Sequence, residues 1–453
     1  MQAVQTKKIG WIEAFSIGVG GMVGGGIFAV LGLTIDLSKG GAPIAFALAG
    51  FIALVTTYSY VKLSLRYPSE GGTIEFIVQA FGHGFFSAFI NTLMLMSYVI
   101  MLALYAYAFG GYGAALFTGH DDPFLHKVLA ASVIAVFMLI NLLGAFLTGK
   151  AEDILVFIKV GILLLFIALG LSTTHWERIE PSEWAPLLNI ATGGLIIFLA
   201  YEGFELIANA ARDVKDPEKS LPRAYYSAVI FVIFLYISIA IVAVGNVSFD
   251  EAKKAQDYVL AIAAEPFLGH LGFVIIGIAA LLSTASAINA TLYGGGRTAV
   301  LVAKLGEIPA IFQQKLKHGF WGMIFLGVAG IIFAISFNIN NISIAGSMGF
   351  LIVFTLVNLA NYRLAKETQS VRWIPALGFL LTLSATVILV GYNAIHEPHG
   401  LMSSSLVLLI TLGYTLFHFK FRDKRFRLKP FIDPRLKVDE IHRLREAQNH
   451  DHP

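Results

Sequence analysis

GVGGMVGGGIF, residues 18–28, places six glycines in eleven positions, in the middle of an apolar segment that runs over 11–34. Glycine in a helix interior costs about 1 kcal/mol relative to alanine, so the triplet Gly24–Gly26 predicts a point of unwinding. Close helix packing is the competing reading, because small residues let membrane helices approach one another. Packing needs glycine on one face only, however, and consecutive glycines point all ways around a helix. A second apolar segment, 186–211, is interrupted by Ala200-Tyr201-Glu202-Gly203-Phe204-Glu205. An acidic residue at the centre of a lipid-facing helix costs about 2.5–3.5 kcal/mol on insertion scales. This stretch also reads as broken, and as turned toward the protein interior.

The rest of the chain is apolar enough to make both breaks intramembrane features. Of 453 residues, 57% are hydrophobic and 13% charged, against about 25% charged in an ordinary globular domain; the mean hydropathy is +0.75. The absence of cysteine removes disulfides, thiolate metal sites and cysteine nucleophiles. A net charge of +3 gives no field for nucleic acid. With 36 Phe and 16 Tyr, disorder is confined to the ends. Met1–Lys8 is polar, then basic, and no small-residue cleavage site follows the first apolar run, so no removed signal peptide is expected.

A membrane helix needs about 20 mostly apolar residues. Twelve segments qualify: 11–34, 44–66, 84–112, 127–148, 151–172, 186–211, 223–247, 270–301, 320–338, 344–363, 373–394 and 401–420. Their apolar runs are continuous, which excludes the alternating strands of a barrel. The expected fold is an all-α polytopic membrane protein of 12 transmembrane helices. Lys and Arg set the orientation. With the N-terminus inside, 26 of them fall on the cytoplasmic side, 5 fall outside, and one, Lys159, lies within a span. Both termini are therefore expected in the cytoplasm, with the chain multi-pass in the cytoplasmic (inner) membrane. The broken segments are the first and sixth, corresponding positions of two five-helix halves, which points to an inverted-repeat transporter with its substrate at the breaks. Half-helix N-termini present N–H groups to an anion, and freed carbonyls accept from a cation. A zwitterion satisfies both.

At these residues the chain resembles the amino acid–polyamine–organocation (APC) superfamily, over nearly its whole length. GGMVGGGIF at 20–28 looks like the family's first-helix substrate motif. YPSEGG at 67–72 with AFGHG at 80–84, AYEGFELIANAARDVKDPEKSLPRA at 200–224 and NATLYGGGRTAVLVAKLGEIP at 289–309 resemble three further motifs, in order. Spans four and five, the Gly245-Asn246 region and STASAINA at 283–290 are most similar to prokaryotic proton-coupled, broad-specificity amino acid transporters. The resemblance implies the sodium-coupled leucine-transporter fold. Its parts would be a cytoplasmic N-terminus (1–10), inverted repeats at 11–172 and 186–363, peripheral helices at 373–420 and a basic cytoplasmic tail at 421–453. It further implies that the substrate carboxylate sits on the amides of Gly24, Gly25 and Gly26. The ammonium would meet carbonyls of Met22, Leu199 and Glu202, while Tyr98, Leu199 and Phe204 shape the side-chain pocket. Three positions depart from the common pattern: Gly25 lacks a hydroxyl often found there, Leu199 stands where some relatives have tryptophan, and Glu202 is an additional acid. They bear on substrate size and charge.

Lys159, in ILVFIKVGILLLF, lies about 12 Å into the fifth span at roughly 1.5 Å per residue. A snorkelling lysine is one reading. The resemblance implies another: its amine replaces a bound sodium ion, near the Gly20 carbonyl and Ser283, with Thr284 close by. Burial penalises a charged amine, so a lysine that both holds and releases a proton there could couple proton entry to transport. Glu205 reads either as a structural acid or as a second titrating group, and Glu202 as a carbonyl donor or as a carboxylate favouring cationic substrates. The expected function is proton-coupled amino acid import, without a resident cofactor or metal. Uncoupled amino acid/amine exchange and a membrane amino acid sensor are the alternatives. No GxxxxGK[ST] or HExxH motif supports an enzyme. The expected partners are an amino acid substrate and the lipid bilayer, with no nucleic acid; the oligomeric state is left open.

Overall fold

The structure, a computed structural model, describes residues 8–143, 149–316 and 319–421. The expected basic tail from 422 onward and the first seven residues lie outside the described residues. In chain order the helices are α1 (Trp11–Met22), α2 (Gly26–Ser38), α3 (Ala42–Arg66), α4 (Thr73–Phe81), α5 (Phe85–Thr118), α6 (Pro123–Leu142), α7 (Gly149–Gly170), α8 (Leu187–Ile196) and α9 (Leu206–Ala210). They continue with α10 (Pro217–Asn246), α11 (Phe249–Lys254), α12 (Val259–Ile262), α13 (Glu265–Lys304), α14 (Trp321–Ser336), α15 (Ile339–Arg363), α16 (Trp373–His396) and α17 (Pro398–Phe421). One two-residue strand pair, Lys315–Leu316 with Gly319–Phe320, precedes α14.

Among the described residues, ten helical stretches are long and apolar enough to cross a membrane. The pair α1 and α2, bent by 46° at its break, forms an eleventh. The remaining expected span, the ninth at 320–338, is helical but shorter, 16 residues in α14. Both expected interruptions occur. The first falls between Met22 and Gly26, and the sixth follows α8, whose chain tightens into a 3₁₀ turn at Ile197–Tyr201 before restarting at α9.

The centre of the bundle is α5, packed against α13, α6, α14 and α15, while α10 packs against α3 and α1. Its glycines allow this: a Cβ at Gly113 would fall 2.7 Å from Leu129 of α6, and one at Gly110 would meet the His126 ring. The two broken helices run through this core. Buried residues therefore dominate α2 and the 3₁₀ turn, whereas α6, α7, α16 and α17 show long apolar side chains on the outside. That division is what a bilayer requires, with apolar surface toward lipid and irregular backbone enclosed by protein.

Candidate functional site

Unwinding the first span strands several carbonyls, and side chains from three other helices take them up. Val23 N–H still bonds Val19 O at 2.8 Å, and Gly24 N–H turns back to Gly21 O at 3.2 Å. Gly25 then serves as N-cap and Gly26 opens α2, so the break spans Val23–Gly25, one residue earlier than expected. The Gly20 carbonyl accepts from Lys159 Nζ of α7 at 3.1 Å. Met22 O accepts from the Tyr236 hydroxyl of α10 at 2.6 Å. The carbonyls of Val23, at 2.9 Å, and of Gly24 both accept from Ser283 Oγ of α13. Buried backbone acceptors require partners, and here each partner ties a different helix to the break.

The sixth span is opened by an extended Glu202 (ψ 142°) and by Gly203 at φ 125°, a conformation that favours glycine. A Cβ at Gly203 would run into the backbone of Gly21 and Met22, and one at Gly21 would lie 2.8 Å from Gly203 Cα. The two breaks therefore touch backbone to backbone. Tyr236 spans both, since its hydroxyl also reaches Ala200 O at 3.2 Å. Glu205 is buried; its Oε2 accepts from Gly203 N–H at 2.6 Å, while Oε1 is buried without a hydrogen-bond partner.

A cavity of about 570 Å³ leads from the face that bears the N-terminus to this junction. Lys8 and Glu13 stand at its outer part, and Gly20, Gly21, Tyr105 and Glu202 border its inner end. Of the residues expected to hold substrate, Tyr98 and Glu202 line it. None of Met22, Gly24, Gly25 and Gly26 lines it: Gly24 and Gly25 lie behind Tyr105, Gly26 sits against Ala200, and Met22 is buried. Leu199 and Phe204 are fully buried: Leu199 packs on Gly346, and the Phe204 ring meets Tyr60 edge-on and Phe354 at a tilt, with centroids 5.3 and 5.4 Å away. On the opposite face Gly32 of α2 sits against the Gln256 backbone. A separate cavity of about 410 Å³ there shares no lining residue with the first. This conformation is open on the N-terminal face and shut on the other.

Lys159 is 3% exposed, and its amine points inward to the break, which removes the snorkelling reading. Ser283 borders the same small cleft, as expected, with its hydroxyl turned to the Val23 and Gly24 carbonyls. Thr284 bonds within its own helix to Ala280 O at 2.7 Å and shows its methyl group to Gly25. Sequence reading missed Tyr236 and Tyr105. The signal available was slight: Tyr236 is one hydroxyl in FVIFLYISIA with partners distant in sequence, and Tyr105 is one of four tyrosines in α5.

With this geometry in view, the comparisons are specific. A sequence profile of amino acid permeases matches residues 9–416. An uncharacterized protein of Methanocaldococcus jannaschii is 35% identical over 417 residues, covering 90% of this chain and 95% of that protein. The inner membrane transport protein YbaT of Escherichia coli is 37% identical over 392 residues, covering 85% and 90%. Among solved structures, a manganese transporter of Eremococcus coleocola superposes with a TM-score of 0.56 at 10% identity, covering 90% of this chain and 94% of that one. At that identity the likeness speaks for the fold alone.

Proposed function

We propose, from the premise that this chain belongs to the amino acid permease family, that it is a secondary transporter importing amino acids in symport with protons. Its relatives and structural neighbours are membrane transporters and not enzymes. The observation that carries the coupling is the Lys159 amine on the Gly20 carbonyl, within the wall of the first break and outside the main cavity. A cation held there stabilises freed carbonyls; losing the proton weakens that hold and lets the break rearrange. Coupling follows if one conformation binds the proton more tightly than the other.

In this reading the substrate carboxylate is taken by amides at Gly24–Gly26. Those of Gly25 and Gly26 stand at the N-terminal end of α2, where helical N–H groups have no internal acceptor. The ammonium goes to carbonyls at Met22, Leu199 and Glu202, with Met22 O using its second lone pair beside the Tyr236 hydroxyl. Tyr98 forms part of the pocket wall. Glu205 supports Gly203 in its left-handed conformation and is the reserve candidate for a proton. The 26-to-5 distribution of Lys and Arg supports placing the N-terminal face in the cytoplasm, so that the 570 Å³ cavity is the cytoplasmic exit. The proton is the coupling ion, and no resident cofactor is invoked.

Uptake into proteoliposomes, with and without an imposed proton gradient, tests this beside equilibrium binding of the same amino acid. Lys159→Ala should retain binding and lose gradient-driven accumulation, falling to the level of passive exchange. An alanine variant that still concentrates substrate in response to the gradient would move the coupling elsewhere, with Glu205 the next residue to examine.

A further inference from the structure

On the closed face, far from the Lys159 amine, three side chains from distant parts of the chain converge. Asp121 lies two residues before α6, whose N-terminus Asp122 caps by accepting Leu125 N–H at 2.8 Å. His126 is in the first turn of α6, and Asp257 lies on the loop between α11 and α12. One donor atom from each falls within 4.8 Å of the others. His126 Nδ1 is 2.9 and 3.0 Å from the two Asp121 oxygens. The imidazole is 3% exposed, and the buried Oδ1 of Asp257 and Nε2 of His126 have no hydrogen-bond partner. Two carboxylates and an imidazole thus converge on one pocket.

We propose that Asp121, His126 and Asp257 form a binding site for a divalent transition-metal ion of the zinc class, and that a bound ion pins the α11–α12 loop to α5 and α6. Imidazole with two carboxylates is a donor set that zinc accepts, with bonds of about 2.0–2.2 Å and water in the fourth position. Spacings of 4.8 Å or less need only side-chain movement to reach such a geometry. The surroundings fix the ligands. A Cβ at Gly110 would strike the His126 ring, and one at Gly111 would lie 2.9 Å from Asp257 Cβ. The edge of Tyr107 packs on the imidazole, with ring centroids 4.2 Å apart. The residue before Asp257 is Gln256, whose backbone seals against Gly32. An ion holding Asp257 therefore holds that seal, and favours conformations shut on this face over those open to it.

The test uses full-length protein in lipid nanodiscs, titrated with Zn²⁺ and separately with Co²⁺. One saturable site is expected, with the visible absorption of four-coordinate cobalt and a rise in the unfolding temperature on adding Zn²⁺. Mg²⁺ at the same concentrations should do neither. Asp257→Asn and His126→Gln should weaken binding by more than the about 10–100-fold that loss of a supporting partner causes. The tail contains His442, His450 and His452, so loss of the site in these variants is the decisive reading. Retained substrate binding certifies that each variant is folded, and the cobalt spectrum of the unaltered protein stands independently of both. No saturable Zn²⁺ binding below millimolar, or equal binding in both folded variants, overturns the proposal.

Discussion

At Gly25 the backbone φ is −121°, which any residue adopts, so volume alone excludes a side chain there. A Cβ would enter the Tyr105 ring and lie 3.0 Å from Thr284 Cγ2. Tyr105 must then swing into the cavity it borders. Gly25→Ala should leave a folded protein whose amino acid affinity falls at least about tenfold, or ~1.4 kcal/mol, by isothermal titration. Unchanged affinity in that variant would mean that the carboxylate sits away from this turn. The sequence made the Lys159–Gly20 contact legible through the family motif, because both residues break the pattern of an apolar span. It could not show Tyr236. One tyrosine in FVIFLYISIA has no periodicity to betray it, and its partners lie 214 and 36 residues away.

At the scale of elements, apolar run length located every span but misjudged some ends, and the cause is glycine. The run Gly110-Gly111-Tyr112-Gly113 reads as a stop near 112, yet α5 continues to Thr118 because those glycines are packing surface for α6 and for the loop bearing Asp257. In α13 the reverse holds: Gly269, at φ 60°, kinks a helix that continues on both sides. Beyond the meeting of the first, fifth and eighth spans at Lys159, helix pairing was not legible. The contact of α3 with α15 rests on Asn358, whose Oδ1 accepts from Ser59 Oγ at 2.7 Å and whose Nδ2 reaches Thr56 Oγ1 at 3.1 Å. Interhelical bonds in membranes average about 0.6 kcal/mol each. Asn358→Ala should therefore destabilise by about 1 kcal/mol in denaturant unfolding from micelles, with substrate affinity unchanged. A variant as stable as the parent would show that other contacts hold the pair, such as Asn361 Nδ2 to Ser59 Oγ at 3.4 Å.

For the whole molecule, both breaks and the helical class follow from composition and glycine placement, whereas the open face does not. Which side stands open depends on small free-energy differences between packings of the same helices, and hydropathy carries no record of those. The structure gives one answer and a way to check it. The chain has no cysteine, so Ala290→Cys on the cavity wall introduces a single thiol. A membrane-impermeant thiol reagent should label it from the N-terminal face, and saturating substrate should slow the reaction. Labelling only from the opposite face would contradict the conformation described here.

The brevity of α14 also says something about the lipid around it. Phe325, Val328, Ile332 and Ile335 are exposed along this helix, so it forms part of the outer wall. Sixteen residues rise only ~24 Å, against a hydrocarbon thickness of about 30 Å. A helical shortfall of roughly 6 Å along this one side is met by local thinning of the bilayer, by flanking residues such as Phe320 and Phe337, or by association, each costing fractions of a kcal/mol per ångström. Acyl-chain length therefore becomes a variable of transport. Reconstituted into bilayers of increasing chain length at constant fluidity, the protein should slow as the membrane thickens, and the loss should ease when α14 is lengthened by one apolar turn.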